Sequence, residues 1–340
     1  MRASECDEAM LRLAIREARK GIGKTAPNPA VGAVLVRNGE VISKGWHRAA
    51  GKPHAEIEAL GKVSSAAGCT LYVTLEPCST HGRTPPCTAA IIESGISRVV
   101  FGATDPNPSH AGRAIKILKK AGVEILSGVL VDECRELNAA WNKWIATGLP
   151  FVTAKAGMSL DGHIASFPGR RWITSEAARA DAMRLRANCD AILVGAETVR
   201  VDDPHLTLRG ISKSPQPLRV VWSRSGKIPS DSKILTDEFQ DRTLVFKGKS
   251  LRAVLQDLGR RGVHHVLIEG GGRTHGEAFD RGLVDRVVFY VAPVLLGGST
   301  PAVGGRGKHD IQLVNPVYKK VGADLRIEAE VLPKAPLGGQ

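Results

Sequence analysis

Apolar positions along the chain follow two periods that alternate with one another. Residues 5–20 set Ala9, Leu13, Ile15 and Ala18 among charges at helical spacing, and Gly21 and Gly23 close the run. Two short apolar stretches, 31–36 and 41–46, flank Asn38-Gly39, a two-residue hairpin signal. Strands are also expected at 71–75, 98–103 and 123–127. Helices are expected from His54 through Leu60 and at 87–94, 113–121 and 132–146. The pattern pauses at Thr147-Gly148-Leu149-Pro150 and then restarts. The second half predicts strands at 151–156, 191–194, 218–222, 243–246, 266–268 and 287–292, with helices at 176–186, 251–261 and 275–282. Strands alternating with helices indicate an α/β protein. A chain of 340 residues exceeds the length at which one core usually keeps growing, so two domains are expected, 1–148 and 149–335. No internal repeat or low-complexity tract is evident, and 332–340 reads as a frayed tail.

Composition changes this picture little. With 43% hydrophobic and 24% charged residues, the chain is an ordinary globular one. It opens directly into an amphipathic helix and holds no run of 18 apolar residues, so a cytoplasmic protein without a membrane segment is expected. Six cysteines at this length do not form a disulfide scaffold; a reducing compartment leaves Cys78 and Cys87 available for metal, and the isolated Cys6, Cys69, Cys134 and Cys189 are expected to be packing residues. The net charge of +13 is spread over the chain. Residues 1–148 hold 19 Lys/Arg against 14 Asp/Glu, and the remainder 28 against 20. With 4% aromatic residues and no dense basic run, small anionic substrates are favoured over a nucleic-acid track.

Chemistry concentrates between His54 and Cys87. His54-Ala55-Glu56 precedes a strand-like run, which leads to Glu76-Pro77-Cys78 and ends at Pro85-Pro86-Cys87. One imidazole and two thiolates suit zinc, and three protein ligands leave a tetrahedral position for water. Glu56, two residues from His54, can carry protons without being a ligand, as in zinc base deaminases. Helix-terminal placement is expected to help keep it ionised. The competing readings are packing residues without metal, or a closed site with His81 or Cys69 as fourth ligand. In the second half, Glu269-Gly270-Gly271-Gly272-Arg273-Thr274-His275-Gly276 follows a strand and opens a helix, which suits close approach of backbone amides to a phosphate. A purely structural turn is the alternative there.

These residues carry a resemblance. Pro27-Asn28-Pro29-Ala30-Val31-Gly32, His54-Ala55-Glu56, Thr74-Leu75-Glu76-Pro77-Cys78, Gly82 to Cys87 and Asp105-Pro106-Asn107-Pro108 resemble the deaminase half of the bifunctional riboflavin-biosynthesis deaminase-reductase family, RibD or RibG. Ser159-Leu160-Asp161-Gly162, Trp172-Ile173-Thr174-Ser175, Gly195 to Thr198, Asp202-Asp203-Pro204, Leu206 to Arg209, Glu269-Gly270-Gly271, Ala292-Pro293 and Leu295 to Gly298 resemble its reductase half. The resemblance implies a cytidine-deaminase-like three-layer α/β/α domain followed by a dihydrofolate-reductase-like α/β domain. It also implies a cytoplasmic homodimer or higher homo-oligomer acting on a phosphorylated pyrimidine. The reactions it implies are zinc-dependent hydrolytic deamination of 2,5-diamino-6-(5-phosphoribosylamino)pyrimidin-4-one, then reduction of the ribosyl chain to ribityl by NADPH.

Residue by residue, the resemblance implies His54, Cys78 and Cys87 as zinc ligands and Glu56 as the catalytic proton carrier. Asn28, His47, His81, Arg83, Lys155, Arg170, Arg186, Leu206, Arg209 and Glu269 are implied as substrate contacts. Gly157, Trp172, Thr198, Asp202, Ser223 and the turn Gly271, Gly272, Arg273, Thr274, His275, Gly276 and Glu277 are implied at NADPH. The chain departs from the family pattern in having Thr80 before His81, Arg170 before the tryptophan segment, His163 after Asp161-Gly162 and Trp222 before Ser223. Two other functions compete: a monofunctional deaminase with a regulatory second half, and a nucleic-acid editing deaminase.

Overall fold

The structure is a computed structural model that describes residues 3–81, 85–108, 110–164, 172–213, 215–297, 300–305 and 311–332. The chain divides into two compact units, Met1–Gly148 and Leu149–Gln340.

In the first unit α1 (Glu5–Arg19) leads to the hairpin of β1 (Gly32–Arg37) and β2 (Glu40–Trp46), then α2 (Ala55–Leu60), β3 (Thr70–Leu75), α3 (Cys87–Glu93), β4 (Arg98–Ala103), α4 (Arg113–Lys120), β5 (Glu124–Ser127), α5 (Val131–Leu137) and α6 (Ala139–Thr147). A capping box between Ser4 and Asp7 starts α1. The sheet runs β2-β1-β3-β4-β5, with β1 antiparallel to β2 and β3, and β3, β4 and β5 parallel. Side-chain alternation along its strands builds two cores. Ala33, Leu35, Leu71, Val73, Val99 and Phe101 pack with Ala55 and Ala59 of α2, Ile91 of α3 and Leu118 of α4. Val34, Val36, Tyr72 and Val100 pack with Leu11 and Ile15 of α1, Cys134 of α5 and Trp141 of α6. The result is a three-layer α/β/α unit.

The expected single helix over 132–146 is broken at Asn138, whose backbone leaves the helical region at φ −116°, ψ 24°. Tertiary hydrogen bonds explain the break. The buried Asn138 amide accepts from Ala30 N at 2.8 Å and donates to Ala30 O at 2.9 Å, tying the helix pair to the Pro27–Pro29 loop.

In the second unit the order is β6 (Phe151–Ser159), α7 (Glu176–Ala187), β7 (Ala191–Gly195), α8 (Ala196–Asp202), β8 (Leu218–Ser223), α9 (Lys233–Thr236), β9 (Thr243–Lys247), α10 (Leu251–Arg260), β10 (His265–Ile268), α11 (Gly272–Asp280), β11 (Arg286–Ala292), β12 (Leu313–Val321) and β13 (Asp324–Val331). The sheet order is β12-β13-β11-β6-β10-β7-β8-β9. The six strands from β11 to β9 are parallel, and β13 and β12 add an antiparallel edge. Parallel strands are covered on both faces. Leu251, Val254 and Leu258 of α10 and Ala278 and Phe279 of α11 lie on one side, and Ala178 and Ala182 of α7 and Val199 of α8 on the other.

Three features depart from the sequence pattern. The short helix α8 follows β7 without a turn, and α11 begins at Gly272 rather than His275. The β12–β13 hairpin escapes the pattern because β12 carries Pro316, is bulged between Val314 and Val317 and is exposed over most of its length. Among the described residues no helix is long and apolar enough to cross a membrane.

Candidate active sites

His54 is the N-cap residue of α2, with extended backbone at φ −70°, ψ 163°. Cys78 follows the end of β3, and Cys87 is the first residue of α3. Three element ends therefore meet. His54 Nδ1 lies 3.3 Å from Cys87 Sγ and 3.5 Å from Cys78 Sγ, and the three donor atoms lie within 4.8 Å of one another. Zinc bonds of about 2.3 Å to sulfur and about 2.05 Å to nitrogen at tetrahedral angles put nitrogen and sulfur about 3.6 Å apart. The donor set fits zinc without rearrangement. Among the described residues this is the group able to hold a metal ion, and neither Cys69 nor His81 joins it. Cys69 is buried in the sheet core, with its thiol toward Ala67 O, and His81 is exposed.

Electrostatics agree with a metal-binding thiolate. The Cys87 thiol hydrogen bond and the neighbouring His54 outweigh burial and hold the Cys78 thiol well below its usual range. The same bond and burial push Cys87 up. Glu56 is 3% exposed on the first turn of α2, beside the Cys87 thiol. Burial, then the Cys78 charge, raises its carboxyl. Burial thus outweighs the expected ionising effect of the helix terminus.

A polar pair borders these ligands. His47 is buried, and its ring meets His54 edge to face at 5.3 Å between centroids. Its Nδ1 lies 3.0 Å from Pro53 O, so that nitrogen carries the proton. Its Nε2, 3.0 Å from Asn28 Nδ2, then accepts from the amide. Burial lowers the His47 pKa and keeps the ring neutral. Thr80 Oγ1 lies 3.3 Å from His110 Nδ1. Arg83 and Arg170, expected at substrate, lie outside the described residues.

Sequence reasoning gave no role to Glu76. Its buried carboxylate accepts from the backbone of Asp105 (3.4 Å), Gly112 (3.0 Å) and Ala114 (3.0 Å). The Asp105–Pro108 loop is thereby fastened beside Cys78. A carboxylate directly before the Pro-Cys ligand turn was the available signal, but its backbone partners carry no mark in the sequence.

In the second unit, Lys155 of β6, Arg186 of α7 and Glu269 after β10 converge. Arg186 Nε and Nη2 donate to the two Glu269 oxygens at 2.5 and 3.0 Å, and Lys155 Nζ lies 3.4 Å from Oε2. Burial raises the Glu269 carboxyl, but Arg186 and then Lys155 outweigh it and hold it at about 2. Arg186 Nη1 also donates to Thr207 O at 3.3 Å, which ties in the loop carrying Leu206 and Arg209. Leu206 is buried there with a left-handed backbone, φ 51°, and Arg209 is exposed.

A cleft of about 730 Å³ opens at the carboxyl ends of β7 and β8 and the start of α11. Ser223, Arg273, Thr274 and Glu277 line it, together with Gly195, Arg200, Trp222, Arg224 and others. Gly195 makes the close packing possible, because a Cβ there would sit 2.6 Å from Thr274 Oγ1. The other expected cofactor residues lie elsewhere or face inward. His275 is fully buried between Ala302 O (2.9 Å) and Ile268 O (3.2 Å). Gly272 and Gly276 pack on the backbone of Pro301 and Gly304, and Gly271 is the N-cap residue of α11. Gly157 packs beside Thr174, and Trp172 is half exposed under Arg179. Thr198 and Asp202 sit on α8. The cleft fits a dinucleotide in size, position and donors, since open α/β sheets bind such ligands beyond the carboxyl ends of their strands.

Comparison with known proteins covers both units. Residues 4–103 match the cytidine and deoxycytidylate deaminase zinc-binding region, and residues 150–325 match the RibD C-terminal domain. The chain is 40% identical to the riboflavin biosynthesis protein RibD of Aquifex aeolicus, over 95% of this chain and 98% of that one. It is similar to the solved structure of Acinetobacter baumannii RibD, with a TM-score of 0.87 and 35% identity over 96% of this chain and 99% of the other. A Thermotoga maritima structure described as a diaminohydroxyphosphoribosylaminopyrimidine deaminase/5-amino-6-(5-phosphoribosylamino)uracil reductase gives a TM-score of 0.85 at 33% identity, with the same coverage.

Proposed function

Because the chain belongs to the RibD family of bifunctional riboflavin-biosynthesis deaminase-reductases, we propose that His54, Cys78 and Cys87 hold its zinc and that Glu56 is its deaminase proton carrier. Supporting this is the approach of one imidazole nitrogen to two sulfurs at 3.3 and 3.5 Å, with a buried carboxyl alongside. Zinc supplies a Lewis acid that makes water nucleophilic near neutral pH. Glu56, buried beside the Cys87 thiol, would carry a proton from the attacking water to the departing amine. His47, fixed as the Nδ1–H tautomer, holds the Asn28 nitrogen, so that the amide oxygen is turned to the aminopyrimidine.

In the second unit the cleft residues would hold NADPH, which when bound would supply the hydride for reduction of the ribosyl carbon. Lys155 and Glu269 meet the pyrimidine end of the substrate, with Arg186 locking the carboxylate in place. Arg209, exposed on the loop that Arg186 anchors, meets the phosphate. Leu206 provides an apolar contact, and Ser223, Arg273 and Thr274 receive the cofactor. Two thiol ligands require a reducing setting, which supports a cytoplasmic enzyme. A homo-oligomer is expected from the resemblance and is measurable by light scattering. Neither a regulatory second half nor nucleic-acid editing is favoured, because both family matches and whole-length relatives point to two enzymatic units.

The test supplies the diaminopyrimidine ribosylphosphate and NADPH to the purified chain while ammonia and cofactor absorbance are followed. Glu56→Gln is expected to retain one zinc and lose ammonia release by roughly 10²–10⁴-fold, the usual span for a general acid-base group. It should still oxidise NADPH when given the pre-deaminated substrate. Loss of zinc from that variant would make Glu56 structural.

A further inference from the structure

Two guanidinium groups of the cleft beside β8 are paired by no carboxylate among the described residues. The cleft's three acids are Glu197, Glu277 and Asp280, and its three guanidinium groups are Arg200, Arg224 and Arg273. Glu197 is committed to Arg200 through Nε at 3.0 Å and Nη2 at 2.5 Å, and Glu277 to Arg281 at 3.1 Å. Among the described residues Arg224 and Arg273 have no ion-pair partner. These two cations come from different elements of the cleft wall. Arg273 is on the first turn of α11, where backbone amides also point toward an anion, whereas Arg224 follows the carboxyl end of β8.

The loop after β8 is built to hold its shape. Ser223 Oγ accepts from Gly226 N at 2.9 Å, and Ser225 Oγ accepts from Lys227 N at 3.2 Å. Arg200 Nη1 donates to Lys227 O at 2.9 Å and so fastens the loop to α8. Gly226 has φ +76°, and the Lys247 stem lies against it. Trp222, half-buried at the end of β8, lines the cleft and donates Nε1 to Lys249 O at 2.8 Å, which restrains the indole.

From this arrangement we propose that Arg224, with Ser225, selects NADPH over NADH by binding the 2′-phosphate of the adenosine ribose, while Trp222 provides the face on which the adenine stacks. The inference rests on the reading of this cleft as the cofactor site. A dinucleotide that spans the cleft with its pyrophosphate at α11 brings its adenosine half to the end of β8. There the phosphate monoester meets an uncompensated guanidinium capable of bidentate hydrogen bonding. NADH presents a hydroxyl at that point and gains little from the charge.

Calorimetric binding to the full chain separates the claims, with adenosine 2′,5′-bisphosphate and adenosine 5′-monophosphate as probes beside NADPH and NADH. A charged hydrogen-bonded contact of this kind is expected to favour the 2′-phosphorylated member of each pair by roughly 10- to 100-fold. Arg224→Gln should abolish that ratio while leaving NADH affinity within about twofold, Arg224→Lys should keep part of it, and Trp222→Leu should weaken both members alike. An unchanged ratio in Arg224→Gln, or equal loss of NADPH and NADH, would overturn the assignment while leaving the cofactor site standing. A wild-type chain that binds neither dinucleotide would overturn the cofactor site and this inference together.

Discussion

Glu269 is a largely buried carboxylate, its side chain 8% exposed, that burial would push toward the neutral form, and it stays ionised because two cations face it. Its folded-state value of about 2 lies below the ordinary 4.5, so its contribution to stability is complete above about pH 4.5 and is lost as the pH falls toward 2. At about 1.4 kcal/mol per unit, the contribution at neutral pH is on the order of 3 kcal/mol. Urea denaturation of the wild type and Glu269→Gln should show a deficit for the variant that is about 2 kcal/mol smaller at pH 3 than at pH 6. Equal deficits would mean that the cluster does not depend on the charge. At this scale the sequence is most legible where chemistry restricts residue type: His54, Glu56, Cys78 and Cys87 stand out as candidates, and the structure brings the imidazole and the two thiols within 4.8 Å of one another. Glu76 and Arg219 are less legible. The partners of Glu76 are backbone groups, which any residue supplies, and Arg219 divides its bonds between the carbonyls of His205 and Ile234 and the Asp237 carboxylate 18 residues on.

At the scale of elements, the join between α5 and α6 links fold to site. Asn138 interrupts an otherwise continuous helical pattern to satisfy both backbone groups of Ala30, two residues beyond Asn28. Leaving those groups buried and unpaired in Asn138→Ala should cost about 2–4 kcal/mol in urea denaturation. The freed loop should also raise KM for ammonia release more than it lowers kcat. A variant with unchanged stability would show that the helix break arises elsewhere. The sequence pattern places most strands and helices because the 2.0 and 3.6 periods persist wherever a face is buried. It fails at Asn138, where a tertiary bond overrides local propensity. It fails also at β12, where little of the strand is buried and no alternation is left to read.

The whole molecule joins two α/β units, each with its candidate site at strand and helix ends: one imidazole and two thiols able to hold a metal ion in one, the Glu269 cluster and a dinucleotide-sized cleft in the other. Their pairing in one chain supports two consecutive reactions on one pyrimidine. The fold class was open to sequence reading, whereas the strand order was not, because order in a parallel sheet depends on crossovers that leave no local trace. The central claim is a zinc ion held by one imidazole and two thiolates, with room for solvent. Zinc-edge X-ray absorption of the native chain tests it most directly. One zinc per chain is expected, with two sulfurs at about 2.3 Å and two lighter atoms at about 2.0–2.1 Å, one of them from imidazole. A chain without zinc, or one whose zinc has a third sulfur or a second imidazole, would contradict it.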